Sequence, residues 1–157
     1  MQKVLMFGLM NSFHQIFTVF WIGGLLTTAI SLMPVIKNSG LKRDDINKIL
    51  KKYQSRLRII VMISVVVLWI TGFLLAKQSG TGFGFLSFSM PYHTLISIKH
   101  IIVIVMTVIA VFRGFILGRK VENFTPGQQK TYGILLFANA FLGIVVLILS
   151  GFSAALA

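Results

Sequence analysis

Residues 59–76 read IIVMISVVVLWITGFLLA, and this uninterrupted apolar stretch decides the fold class. A helix crosses a bilayer with about 20 predominantly apolar residues, so the stretch predicts a membrane-spanning helix. Three more apolar runs of at least this length occur elsewhere in the 157-residue chain, of which only 11% is charged. We therefore expect an all-α fold, an integral membrane four-helix bundle, forming a single transmembrane domain over residues 1–157. The expected helices cover about residues 6–36, 52–76, 93–118 and 127–156.

The charge distribution predicts how the bundle sits in the membrane. The formal net charge is +12, and most of the 15 basic residues fall in two connections between helices, at residues 37–58 and 113–130. Because cytoplasmic loops are enriched in lysine and arginine, both basic loops are expected in the cytoplasm and both termini outside. This pattern indicates a multi-pass protein of the plasma membrane whose basic loops face anionic lipid headgroups, with no nucleic-acid partner.

Two helix starts carry local signals. Asp44 or Asp45 suits the cap of a helix through residues 46–50, which either lies on the membrane surface or extends the second span into the cytoplasm. Thr125 and Pro126 suit the cap and the first turn of the last helix.

Several classes of chemistry are excluded by what the chain lacks. It has no cysteine, which excludes disulfides, thiolate metal sites and covalent haem attachment through Cys-x-x-Cys-His. Its three acidic residues, Asp44, Asp45 and Glu122, all fall in the predicted cytoplasmic loops, so no predicted span carries a carboxylate. There is also no nucleophile–base pair. Any enzymatic activity therefore has to come from a cofactor.

The three histidines are the residues most able to carry such a cofactor. Counting from the inner helix ends at 1.5 Å per residue places His14 and His100 at similar depths near the outer boundary, with His93 at the surface above them. Two imidazoles that face each other across a bundle can hold a haem iron from both sides. The expected function is then that of a b-type cytochrome, a haem-dependent membrane oxidoreductase that exchanges electrons with a quinone or a small oxidant.

Helical spacing assigns a face to each of these histidines. On the first helix, Thr18, Trp21, Leu25 and Thr28 share the face of His14, and on the third helix the face of His100 includes Ile96, Ile104, Thr107, Val111 and Gly114. These faces are apolar with a few hydroxyls, which suits a flat porphyrin. Lys99 projects about 100° away from its neighbour His100 and either reaches the interface or binds a carboxylate such as a haem propionate.

Two alternatives remain open. Thioether and imidazole ligands suit Cu(I), and the candidate copper ligands are Met6, Met10, His14, Met90 and His93. The second alternative is a structural membrane subunit without a cofactor, whose histidines bind water and headgroups. Gly23 and Gly24 permit close helix contact, within the chain or between copies of it in a homo-oligomer.

Short motifs resemble those of the copper-resistance D (CopD-like) membrane proteins and of the related HemJ-type protoporphyrinogen oxidases. In the first helix these are Phe13-His14-Gln15 and Trp21-Ile22-Gly23-Gly24-Leu25-Leu26. Tyr53-Gln54-Ser55-Arg56-Leu57 is similar to the CopD-like Arg-Phe-Ser-Arg-Leu segment, Thr71-Gly72 to a later Thr-Gly, and Lys99 to the lysine of a Val-Lys-Leu segment.

The resemblance implies a four-helix unit in which His14 is a ligand and Lys99 a functional polar residue. It also implies haem b if the HemJ-type likeness holds and copper uptake if the CopD-like likeness holds. HemJ-type proteins often carry a histidine two residues before the lysine, where Ser97 stands here. The role of His100 is therefore our own inference from its depth.

Overall fold

A computed structural model describes residues 2–78, 90–118 and 125–156 of the chain. Four long helices make up these residues: α1 at Gln2–Lys37, α2 at Arg43–Gln78, α3 at Pro91–Val111 with a continuation over Phe112–Leu117, and α4 at Pro126–Ala155. Each helix is long and apolar enough to cross a membrane. The all-α four-helix membrane bundle is thus confirmed. Arg119, Lys120 and Glu122, assigned above to the second basic loop, lie outside the described residues.

Helix α2 is longer than the apolar run predicts. Its 36 residues span about 54 Å, whereas the hydrocarbon core of a bilayer is about 30 Å thick, so its first turns extend beyond the membrane. The segment at residues 46–50 therefore continues α2 rather than forming a separate surface helix. Asp44 and Asp45 lie in the first turn and not at the cap. Their negative charges interact favourably there with the positive end of the helix dipole. The extension is held by packing of Ile46 and Leu50 against Ile36 of α1.

The start of α4 is confirmed as predicted. Thr125 is the N-cap, and its hydroxyl accepts a hydrogen bond from the backbone N–H of Gln128 at 3.3 Å. The Gln128 side chain in turn accepts from the backbone N–H of Thr125 at 3.1 Å. This reciprocal capping box satisfies two backbone donors that the first helical turn leaves without partners.

The helices pack as two hairpins, α1 with α2 and α3 with α4, around a core that includes Trp21, Leu25, Met106 and Leu136. Small residues bring the helices together. A Cβ added at Gly24 would stand 3.1 Å from Leu57 Cδ1 of α2, so this glycine serves a contact inside the chain.

Helix α1 departs from regular α-helical winding near its core-facing residues. Two π-helical segments, Val19–Gly23 and Thr28–Leu32, interrupt it. Trp21, Leu25 and Thr28 nevertheless all point into the core, and none is more than 2% exposed. The predicted inward face of α1 is therefore correct at these positions. Wide turns of this kind are common beside functional sites.

Candidate functional site

A large cavity opens among all four helices and has a volume of about 1010 Å³. Small-molecule and cofactor sites occupy roughly 300–1,000 Å³ and are mostly apolar with a few polar groups. Here the wall is largely aliphatic and aromatic, and its side chains with polar atoms are Asn11, His14, Gln15, Thr18, Trp21, Trp69, Lys99, His100 and Ser150. The cavity has the size and the lining of a cofactor site.

His14 enters this cavity from α1 with one ring nitrogen fixed. Its Nδ1 lies 2.8 Å from the Thr71 hydroxyl oxygen of α2. The single Thr71 hydroxyl proton is donated to the Val67 carbonyl at 2.7 Å, so the Thr71 oxygen accepts from Nδ1–H of His14. In the neutral ring, the Nε2 atom of His14 then carries the lone pair.

Gly72, next to Thr71, packs against the His14 ring. A Cβ added at Gly72 would stand 3.5 Å from His14 Cε1, an ordinary van der Waals contact. Thr71 thus orients the ring, and Gly72 lies directly beside it.

His100 reaches the same cavity from α3 and is fixed in the same way. Its Nδ1 lies 2.7 Å from the backbone carbonyl of Ile96, one turn earlier in the helix. A carbonyl oxygen only accepts, so Nδ1 carries the proton and Nε2 of the neutral ring carries the lone pair. Both histidines of the cavity therefore have the tautomer that leaves Nε2 as the possible metal ligand.

The helical register places the His14–Thr71 contact and His100 at similar distances from one end of the bundle. Arg58 Nη1 donates to the Gly114 carbonyl at 3.1 Å, which sets α2 and α3 in register. Thr71, the partner of His14, is 13 residues above Arg58, and His100 is 14 residues before Gly114, so both lie about 20 Å from this contact. The prediction that His14 and His100 share one depth is consistent with this register.

Lys99 lines the cavity beside His100. Its two predicted roles, reaching the interface and binding a carboxylate, both stay predictions. Trp21 also lines the cavity, as predicted, through a side chain that is 2% exposed.

Thr107 and Gly114, the other two residues expected at the cofactor, lie outside this cavity. Thr107 donates to the Val103 carbonyl of its own helix, and Gly114 lines a separate small cavity near Arg58. The buried row of α3 runs through Met106, Ala110, Arg113 and Leu117, whereas Ile104 and Val111 are exposed. The predicted face of α3 is thus rotated from the observed one, and His100 lies at the edge of the buried face.

The residues of the copper alternative are not gathered around the cavity. His14 is the one member of that set in the cavity wall. Met6 and Met90 are 57% and 62% exposed, and His93 contacts the Tyr92 ring at 5.6 Å between centroids. Within the described ranges, no group of three or more His, Cys, Asp or Glu side chains is placed to hold a metal ion.

Sequence reasoning did not assign roles to several polar residues of the cavity wall. Asn11 and Gln15 of α1 and Ser150 of α4 line the cavity together with His14. Asn11 lies at i−3 of His14, a helical spacing that places it on the same face, so a search around the histidines would have found it.

Comparison with protein-family models, with curated proteins and with solved structures gives no match for this chain.

Proposed function

We propose that this chain is a membrane b-type cytochrome-like protein that binds haem b through His14 and His100. One observation carries the proposal: two imidazoles line one cavity, and the Nδ1 atom of each is hydrogen-bonded to a fixed oxygen. Metal-bound histidines commonly donate the other ring N–H to a carbonyl or another polar group, which fixes the ring and its tautomer. Here the acceptors of these N–H groups are the Thr71 hydroxyl for His14 and the Ile96 carbonyl for His100.

The remaining wall suits the same cofactor. Its aliphatic and aromatic surface would exclude water from a porphyrin, and its volume of about 1010 Å³ is sufficient for a large planar group. Lys99 supplies a cation on the cavity wall, and an ammonium group binds carboxylates such as haem propionates. His14 and His100 would hold the haem iron, so this cofactor would not require a third protein ligand.

Bound haem supplies one-electron redox chemistry, while the protein sets its ligands and dielectric surroundings. We propose that its redox partner is a quinone or a small oxidant and that the protein is a haem-dependent oxidoreductase of the plasma membrane. In this proposal, residues 37–58 and 113–130 face the cytoplasm and the haem lies near the external leaflet. The resemblance of its motifs to HemJ-type proteins supports haem, and the likeness to CopD-like proteins supports copper as the alternative.

The absorption spectrum of the purified protein tests the proposal. We expect a Soret band and, after reduction, sharp α and β bands of a bis-histidine haem. His14→Ala and His100→Ala should each lose the haem, and their helical content, measured by circular dichroism, should remain. His93→Ala is the matched control, because His93 does not line the cavity and its loss should leave the spectrum unchanged.

Full haem retention in His100→Ala would refute the histidine pair. A protein without a Soret band that contains copper in stoichiometric amount would support the copper alternative. Absence of both signals would leave a structural subunit, whose partner in the simplest case is a second copy of this chain.

A further inference from the structure

A second polar cluster lies about 20 Å from the histidines, at the end of the bundle where the basic residues collect. We name Gln54, Arg58 and Arg113 the arginine cluster; they line a small cavity of about 20 Å³ between α2, α3 and α4. Arg113 is only 5% exposed, and its guanidinium lies over the Tyr132 ring, 5.2 Å from the centroid. The haem proposal gives this cluster no role.

The cluster holds positive charge without a matching anion among the described residues. Arg113 Nη1 and Gln54 Oε1 are buried and have no hydrogen-bond partner in the described ranges. Asp44 and Asp45, the acidic residues of those ranges, lie at the start of α2, about 20 Å along the helix from Arg58. A buried cation without a counter-charge is energetically costly. An anion that binds here therefore gains more binding free energy than an anion at an open surface.

The cluster also lies at the depth of the lipid headgroups. Arg58 is 20 residues from Gln78 at the other end of α2, and Arg113 is 22 residues from Pro91 at the other end of α3. At 1.5 Å per residue these lengths are about 30 Å, the thickness of the hydrocarbon core. With Gln78 and Pro91 at one membrane boundary, both guanidinium groups would lie where the phosphates of the opposite leaflet begin.

An apolar groove of about 300 Å³ continues from Arg58 toward the membrane interior. Its wall consists of Ile59, Met62, Ile63 and Phe115, and the Arg58 guanidinium lies 5.8 Å from the centroid of the Phe115 ring. Arg58 thus stands between a cationic cluster on one side and a hydrocarbon-lined groove on the other. A phospholipid has the same order of parts, an anionic phosphate followed by an acyl chain.

We propose that the arginine cluster and the groove form a binding site for one anionic phospholipid. The phosphate binds the Arg58 guanidinium in the field of Arg113, and an acyl chain occupies the groove between α2 and α3. Such a lipid would connect α2 with α3, which belong to different hairpins. The inference is independent of haem, because none of these residues lines the larger cavity.

The test uses the full chain in a neutral detergent and measures lipid binding by native mass spectrometry, with phosphatidylglycerol and phosphatidylcholine of the same chains. We expect phosphatidylglycerol to bind preferentially to the wild type and about tenfold more weakly to Arg58→Gln, since a charge-assisted hydrogen bond is lost. Arg56→Gln is the matched control, because Arg56 is exposed on the same helix and its loss removes the same charge. This control should bind as the wild type does.

Equal losses in Arg58→Gln and Arg56→Gln would overturn the proposal, because they would indicate general attraction to a basic surface. So would equal binding of the two lipids by the wild type. Glycerol 3-phosphate tests the headgroup alone; if it binds at this site as well as the lipid does, the site is a phosphate site and the lipid assignment is wrong.

A second pair of variants tests the groove without changing charge and remains informative if Arg58→Gln is unstable. Ile63→Trp should fill the groove and reduce phosphatidylglycerol binding severalfold, since Ile63 lines it. Ile60→Trp adds the same bulk at an exposed position of α2 outside the groove and should leave binding unchanged. Equal binding by both variants would overturn the acyl-chain part of the proposal.

Discussion

Replacing Thr71 by valine tests the hydrogen bond on which the orientation of His14 depends. Valine has nearly the shape of threonine, but it cannot accept the Nδ1–H of His14, which lies 2.8 Å from the threonine oxygen. Thr71 is 8% exposed, so water has little access to replace the lost acceptor. A buried donor left without a partner costs about 1–3 kcal/mol.

The expected effect on haem affinity follows from this cost. Loss of an outer-shell partner of a metal-bound histidine weakens metal affinity by about 10–100-fold. This range corresponds to about 1.4–2.7 kcal/mol, at 1.36 kcal/mol for each factor of ten, and agrees with the cost of the unpaired donor. We therefore expect Thr71→Val to raise the haem dissociation constant by about 10–100-fold, and Thr71→Ser to restore most of the affinity.

The assay is titration of haem into the apoprotein, followed by Soret absorbance, with Thr107→Val as the matched control. Thr107 also donates its hydroxyl proton to a carbonyl one turn earlier, at 2.8 Å, but it does not line the cavity. Thr107→Val therefore removes an intrahelical hydrogen bond equivalent to that of Thr71 but no bond to a histidine. It should change the affinity for haem less than about threefold.

Equal affinities of Thr71→Val and Thr107→Val for haem would refute the role assigned to Thr71. A second readout separates this outcome from failure of the haem proposal. Without haem, the free energy of unfolding of Thr71→Val should be about 1 kcal/mol lower than that of Thr107→Val. The reason is that Thr71→Val loses the hydrogen bond between α1 and α2 whether or not haem binds.

Three further predictions concern the packing that positions the site. Gly143→Ala places a Cβ 2.9 Å from Ile22 Cγ2 and should destabilise the protein by about 1–3 kcal/mol in thermal melting, whereas Gly133→Ala, with open space at its Cβ, should not destabilise it. Tyr53→Phe removes a 2.7 Å hydrogen bond to the Thr28 hydroxyl and should lower the free energy of unfolding by about 0.5–1.5 kcal/mol; an unchanged value would show that the bond contributes nothing. Thr125→Ala removes the cap of α4 and should cost about 1 kcal/mol, measurable as faster hydrogen exchange in the first turn of α4, and Thr131→Ala, an exposed hydroxyl bonded within α4, serves as its control.

The number of helices is predictable because the solvent of the spans is hydrocarbon. A span exposes its backbone to no water and must satisfy its hydrogen bonds internally, so long apolar runs become helices. The beginning of α2 at Arg43 was harder to predict, because its first turns are polar and extend outside the membrane. Their helical conformation depends on contacts such as that of Leu50 with Ile36, which hydropathy does not report.

The two histidine-bearing helices show why helix rotation is only partly predictable. On α1 the inward face carries Trp21 and Thr28 among aliphatic residues, and these side chains distinguish the core from the lipid. On α3, 8 of the 11 residues from Ile101 to Val111 are isoleucine or valine. Lipid and core accept these side chains equally well, so the periodicity of the sequence says little about which face is buried. The buried row of α3 instead follows Met106 and Arg113, and the irregular turn at Phe112–Leu117 contributes to this path.

Helix packing inside a membrane lacks the hydrophobic driving force that assembles soluble bundles, so a few small residues and hydrogen bonds must select the partners. Side-chain hydrogen bonds between the helices follow this rule. A hydrogen bond between Thr28 and Tyr53 joins α1 to α2. Arg58 donates to the Gly114 carbonyl and joins α2 to α3, and Asn139 donates to the Met106 carbonyl and joins α3 to α4.

The bond between His14 and Thr71 is a second link of α1 to α2, and it is also the bond that fixes the proposed haem ligand. The same contact therefore contributes to assembly of the first hairpin and to orientation of the imidazole. A ligand that binds only the folded state stabilises it by a free energy that grows with the logarithm of its affinity, so haem would strengthen the hairpin through this contact. Haem loading should then raise the melting temperature less in Thr71→Val than in Thr107→Val, and an equal rise in both variants would mean that ligation and hairpin assembly are independent.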